Sequence, residues 1–104
     1  METVFIINPS AGKGNNIQKL IFQIEKIASQ IEEKIEIYVT RYQGDARRFV
    51  REYCLSKGNA RFIACGGDGT FSEVLNGAID FPDTQIGVLP IGTGNDFCRN
   101  FKDT

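Results

Sequence analysis

The sequence predicts an α/β domain, a mainly parallel β-sheet with helices on both faces. Three observations predict it. Short β-branched runs alternate four times with stretches whose apolar residues recur every three or four positions. No internal repeat or low-complexity linker interrupts that alternation, which builds βαβ units with right-handed crossovers. The glycine-bearing segments follow the strands, so they collect at one edge of the sheet, where such folds bind ligands.

Thr3 to Asn8 (TVFIIN) is apolar and closed by Asn-Pro, a strand entering a turn. From Asn16, the residues Ile17, Leu20, Ile21, Ile24, Ile27, Ala28 and Ile31 share one helical face over about four turns. Lys34 to Thr40 (KIEIYVT) alternates Ile35, Ile37 and Val39 with charged or polar neighbours, a second strand. Ala46, Phe49, Val50, Tyr53 and Cys54 restore helical spacing, and Gly58-Asn59 ends that helix. Arg61 to Cys65 is a third strand. Thr70 to Ile79 is a shorter helix carrying Phe71, Val74, Leu75, Ala78 and Ile79. Gln85 to Leu89 is a fourth strand, and a further helix with Phe97, Cys98 and Phe101 starts at Asn95.

Composition excludes several functions. A chain of 104 residues is expected to form one domain. Hydrophobic residues at 41% and charged residues at 24% are ordinary for a globular protein. A net charge of −1 steers no nucleic acid, and Arg47, Arg48 and Arg51 read as a solvated helix face. There is no apolar run of about 18 residues and no signal-peptide pattern at the N-terminus. Three cysteines without CxxC spacing, and no histidine, argue against a disulfide framework or a zinc site. Cys54 and Cys65 fall at core positions, and a reducing, cytoplasmic compartment is expected.

The chemistry is concentrated in three loops: NPSAGKG after the first strand, GGDGT after the third and PIGTGND after the fourth. Phosphates need close approach to backbone N–H groups. Glycine removes the obstructing Cβ and permits positive φ. A helix starting at once adds free N–H groups and the positive end of its dipole. Gly66, Gly67 and Gly69 before a helix offer both. Thr70 is expected to cap that helix, with Glu73 at capping-box spacing. Asp68 would repel phosphates unless it held Mg²⁺, directly or through water, or braced the loop. NPSAGKG lacks the Walker A pattern, so Lys13 is given no γ-phosphate role, and no GxGxxG follows the first strand. Asn95 and Asp96 suit helix capping as well as a site.

With NPSAG (Asn8–Gly12), Thr40 followed by GDA (Gly44–Ala46), GGDGTFSEVLNG (Gly66–Gly77) and PIGTGNDFCR (Pro90–Arg99) in this order, the chain resembles the N-terminal nucleotide-binding domain of the diacylglycerol kinase catalytic family. That family shares its fold with NAD kinases, and bacterial lipid kinases and sphingosine kinases are among its members. The resemblance covers essentially the whole chain. It implies transfer of the γ-phosphate of ATP to a lipid hydroxyl, diacylglycerol above all, with Mg²⁺. By motif position, Asn8, Pro9, Ser10, Ala11 and Gly12, Thr40, Gly66, Gly67, Asp68, Gly69, Thr70, Phe71, Ser72 and Glu73, and Thr93 with Gly94, would contact the nucleotide. Asp68 would organise phosphate and metal. Glu73 and Asn76 would brace the helix start, and Asn95 and Asp96 would place the last loop near the phosphates. Ala11 departs from the serine or threonine common at that position, and Ser10 could compensate.

The resemblance also implies that the general base, further metal ligands and the lipid-binding surface lie in a β-rich domain C-terminal to this one. The expectation is therefore one half of a two-domain kinase, cytoplasmic, with any peripheral membrane contact made by the other half. Apolar surface uncovered on this half would favour a homodimer. Two other readings stay open: an NAD kinase-like enzyme, and a non-catalytic nucleotide-binding module.

Overall fold

The computed structural model of the protein describes residues 1–9, 16–31 and 34–89. Their elements are β1 (Thr3–Ile7), α1 (Asn16–Ile31), β2 (Ile35–Val39), α2 (Asp45–Lys57), β3 (Arg61–Cys65), α3 (Asp68–Gly77) and β4 (Gln85–Leu89). The sheet has the order β2-β1-β3-β4 and every pairing is parallel. Thr3 lies opposite both Ile35 and Arg61, and Arg61 opposite Gln85. The four strands therefore end level, at Ile7, Val39, Cys65 and Leu89. The ladder runs one step further, since Thr40 N–H donates to the Ile7 carbonyl at 2.8 Å and Asn8 N–H to that of Cys65 at 3.3 Å.

The chain leaves β1 towards β2, then reverses across it to β3. With right-handed crossovers, that reversal puts α1 on one face and α2 and α3 on the other. The two cores have this composition. Phe5, Ile7 and Cys65 pack with Leu20 and Ile24 of α1. Val4, Ile6, Phe62 and Ala64 pack with Val50, Tyr53, Cys54 and Val74 of α2 and α3. Adjacent β1 residues thus serve opposite cores, and all five are buried, as a central strand covered on both faces requires. Full burial of a side chain such as Phe62 or Ile24 contributes about 1.5–3 kcal/mol.

Three details differ from the sequence expectation. Helix α3 starts at Asp68 rather than Thr70, so Thr70 sits buried inside its first turn. Its apolar stripe is narrower than the periodicity suggests, and Leu75 and Ile79 are exposed. The arginines of α2 do not share one solvated face. Arg51 meets Asp80 at the surface, but Arg48 turns to the buried carboxylate of Asp45. Gly58 ends α2 as expected, with φ +91 and its N–H on the Cys54 carbonyl. Cys54 and Cys65 are free, buried core residues, and burial pushes the Cys65 thiol up to about 12. Cys98 and the helix expected from Asn95 lie outside the described residues.

Candidate nucleotide site

Where β1 separates β2 from β3, a cleft of about 350 Å³ opens beyond the strand ends. Asn8, Pro9, Thr40, Arg41, Tyr42, Gln43, Ala46, Gly69, Thr70 and Glu73 line it. Reversal of the chain direction makes this place. β1 leads to α1 on one face and β3 to α3 on the other, which opens a crevice at the strand ends. Of the residues expected at the site, Asn8, Pro9, Thr40, Gly69, Thr70 and Glu73 converge here, while Gly66, Gly67 and Asp68 form the adjoining turn into α3. Ser10, Ala11, Gly12, Thr93, Gly94, Asn95 and Asp96 lie outside the described residues.

The start of α3 can receive an anion. Gly67 is its N-cap and no side chain caps it. The first N–H groups of a helix lack intrahelical partners, and the helix dipole adds positive potential. Among the described residues, a Cβ built on Gly67 or Gly69 would meet no atom within 4 Å. Packing against the described residues demands neither glycine, and both leave space before the helix end. Gly67 has φ −94, which any residue adopts, and the expected positive φ is not used there. Close approach remains as the reason for glycine.

The capping box expected between Thr70 and Glu73 does not form, because the Glu73 carboxylate is engaged elsewhere. Its Oε2 accepts from Gly44 N–H at 3.1 Å and its Oε1 from Ala46 N–H at 3.2 Å. It caps α2 from α3, across 29 and 27 residues of sequence. Glu73 thus braces a helix start, but that of α2. Asn76 braces neither start and donates back to the Ser72 carbonyl at 2.8 Å.

Asp45, the aspartate of GDA, is the residue that sequence reasoning passes over. It is fully buried at the mouth of α2. Oδ2 accepts from the Tyr38 hydroxyl at 2.7 Å and from Arg41 N–H at 2.9 Å, while Arg48 donates to Oδ1. Burial alone would raise its pKa, but these hydrogen bonds and the Arg48 charge outweigh that and hold it below the ordinary carboxyl range. Arg48 also donates from Nε to the Tyr42 hydroxyl at 2.9 Å. Residues 40–46, one whole wall of the cleft, are therefore pinned from behind by Asp45 and from the side by Glu73.

Asp68 is exposed at the first position of α3. Among the described residues, no three carboxylate, cysteine or histidine side chains gather as a metal cage. A carboxylate so placed fits Mg²⁺ only as one ligand among phosphate oxygens and water, which is the usual habit of that ion.

Comparison with known proteins decides the family. The diacylglycerol kinase catalytic domain profile matches residues 2–103. The chain belongs to that family. It is 35% identical to a diacylglycerol kinase of Bacillus subtilis, over 90% of this chain and 31% of that protein. It is 30% identical to sphingosine kinase 2 of Arabidopsis thaliana, over 94% of this chain and 21% of that one. A crystal structure of a diacylglycerol kinase from Bacillus anthracis superposes with a TM-score of 0.69 at 32% identity, over 97% of this chain and 36% of that one. The chain thus spans about a third of the length of these relatives, or less. Among its described residues no helix is long and apolar enough to cross a membrane.

Proposed function

We propose that this chain is the ATP-binding part of a lipid kinase that phosphorylates a lipid hydroxyl, diacylglycerol being the first candidate. The observation that carries the reading is the uncapped start of α3, with Gly67 and Gly69 opening onto space beside the cleft that no described residue fills. Phosphates accept there from the N–H groups of Asp68, Gly69 and Thr70. The NPSAG and PIGTGND segments, with Ser10, Gly12, Thr93, Gly94, Asn95 and Asp96, complete the cradle by motif position. Asp68 holds Mg²⁺ together with the phosphates, and the ion supplies charge neutralisation at the transferred group.

In the reaction, the lipid oxygen bonds to the γ-phosphorus as the bond from that phosphorus to the β–γ bridging oxygen breaks. The hydroxyl proton passes to a base, and ADP leaves. Both Glu73 oxygens accept backbone N–H groups at the start of α2, so its role is assigned to bracing that helix rather than to taking the proton. The base and the lipid-binding surface are assigned to a further domain of the kind that the longer relatives have room for. The family match favours this reading over an NAD kinase.

The test is transfer of labelled γ-phosphate from ATP by the full-length protein, to diacylglycerol in mixed micelles and separately to NAD. Labelled phosphatidic acid that disappears with EDTA is expected. Labelled NADP with unlabelled lipid would overturn the reading. Saturable ATP binding with no acceptor labelled, sphingoid bases included, would leave a binding module instead.

A further inference from the structure

Resting on that nucleotide reading, we propose that Tyr42 is the platform on which the nucleobase stacks, and that Asp45 and Arg48 exist in part to hold it there. Most aromatic side chains of this half of the fold are committed to packing. Tyr38 stacks on Phe49 at 3.9 Å between ring centroids, Phe49 leans on Tyr53, and Tyr53 meets Phe62 edge-on. Among the described residues of this half, Tyr42 is the exception. It is 56% exposed and lines the cleft.

An exposed loop tyrosine ordinarily moves with its loop, but this one is tied. Its hydroxyl accepts from Arg48 Nε at 2.9 Å, and the same guanidinium is fixed to the wholly buried Asp45. The backbone beneath is held as well, since Arg41 N–H donates to Asp45 and Asp45 N–H to the Tyr42 carbonyl. Arg48, partly exposed but anchored on the buried Asp45, thus immobilises a ring that contributes little to the core. Immobilising an aromatic in solvent costs conformational entropy and gains nothing unless something lies on it.

Position identifies what lies there. Tyr42 follows β2 and the open start of α3 follows β3, with β1 between them. Two strand spacings separate the two features by roughly 10 Å. A nucleotide whose phosphates sit at α3 and whose sugar crosses above Asn8 and Thr40 brings its base over residues 41–43. Aromatic stacking suits any base face and is strongest for the larger purines. Gln43, which lines the same end, offers an amide to the base edge.

The experiment compares two probes on the full-length protein by calorimetry: ADP, which carries the base, and inorganic tripolyphosphate, which does not. For Tyr42→Ala, ADP affinity should fall about tenfold with tripolyphosphate unchanged. Tyr42→Phe keeps the ring but loses the Arg48 tie, and should lose only a fraction of that. Equal weakening of both probes in Tyr42→Ala would overturn the proposal, because the residue would then act through the loop. No change for either probe would overturn it too. If the unmodified protein bound tripolyphosphate and ADP equally well, the base would have no site while the phosphate reading stood. If it bound neither, the nucleotide reading itself would fall.

Discussion

Helix α3 has glycines at both ends, and they are there for opposite reasons. At the front, Gly67 and Gly69 face no described residue that a Cβ would touch within 4 Å. At the back, a Cβ on Gly77 would lie 2.6 Å from the Arg47 carbonyl oxygen and 2.9 Å from Val50 Cβ. The rear glycine lets the backbone of α2 press against α3, which is a packing requirement. The front glycines meet no neighbour among the described residues, so packing against those residues does not account for their smallness. Both belong to one stretch, GGDGTFSEVLNG, and the motif alone does not separate the two roles.

Exchanging side chains between the two ends tests this, and the larger effect should come from the back. Gly77→Val drives two methyl groups into backbone that cannot rotate away, and stability should fall by about 3 kcal/mol. A urea titration of the full-length protein measures it. A loss below about 0.5 kcal/mol would mean that α2 and α3 can slide apart at no cost, and the packing reading of Gly77 would fail.

Gly67→Val should do the reverse. Valine adopts the φ of −94 found there without strain, and the space is open, so unfolding should be unchanged. ADP binding should weaken about tenfold or more, because the new methyl groups keep phosphate off the N–H groups of the helix start. Calorimetry with ADP reads it directly. Unaltered affinity would remove the α3 start from the site, whatever the family match says.

How much of this is legible beforehand follows the range of the forces involved. Arg61–Cys65 and Gln85–Leu89 are readable to the residue, because an apolar run between turn formers is a local signal. The site's edge is legible as well, from glycines that follow strands. The first residue of α3 is not. Thr70 and Glu73 have capping spacing, yet Gly44 and Ala46, far off in sequence, take that carboxylate first. Asp45 is hidden in the same way. Nothing near it in GDA indicates that Tyr38, the Arg41 N–H and Arg48 will meet on it inside the fold. Polar partnerships between distant segments escape a reading built on periodicity, and here they hold one wall of the cleft.

That dependence on carboxylates gives the two ends of α3 a further difference, in their response to acid. The rear contact is carbon against backbone and carries no titrating group. The front wall rests on Asp45, whose pKa in the fold lies below the ordinary carboxyl range. Because the folded value is depressed, its contribution is complete above the unfolded value. It is lost as pH falls through the folded one. Asp45→Asn removes the charge at every pH. The variant should therefore be less stable than the parent by about 1 kcal/mol near pH 7, and the gap should narrow in acid and close as pH falls through the depressed folded pKa. Urea titrations of both proteins at neutral and acid pH measure the gap. A gap of constant size would mean that the Asp45 contacts work equally well without the charge. The wall would then be a matter of shape, and the front of α3 would differ from the back only in what is left empty.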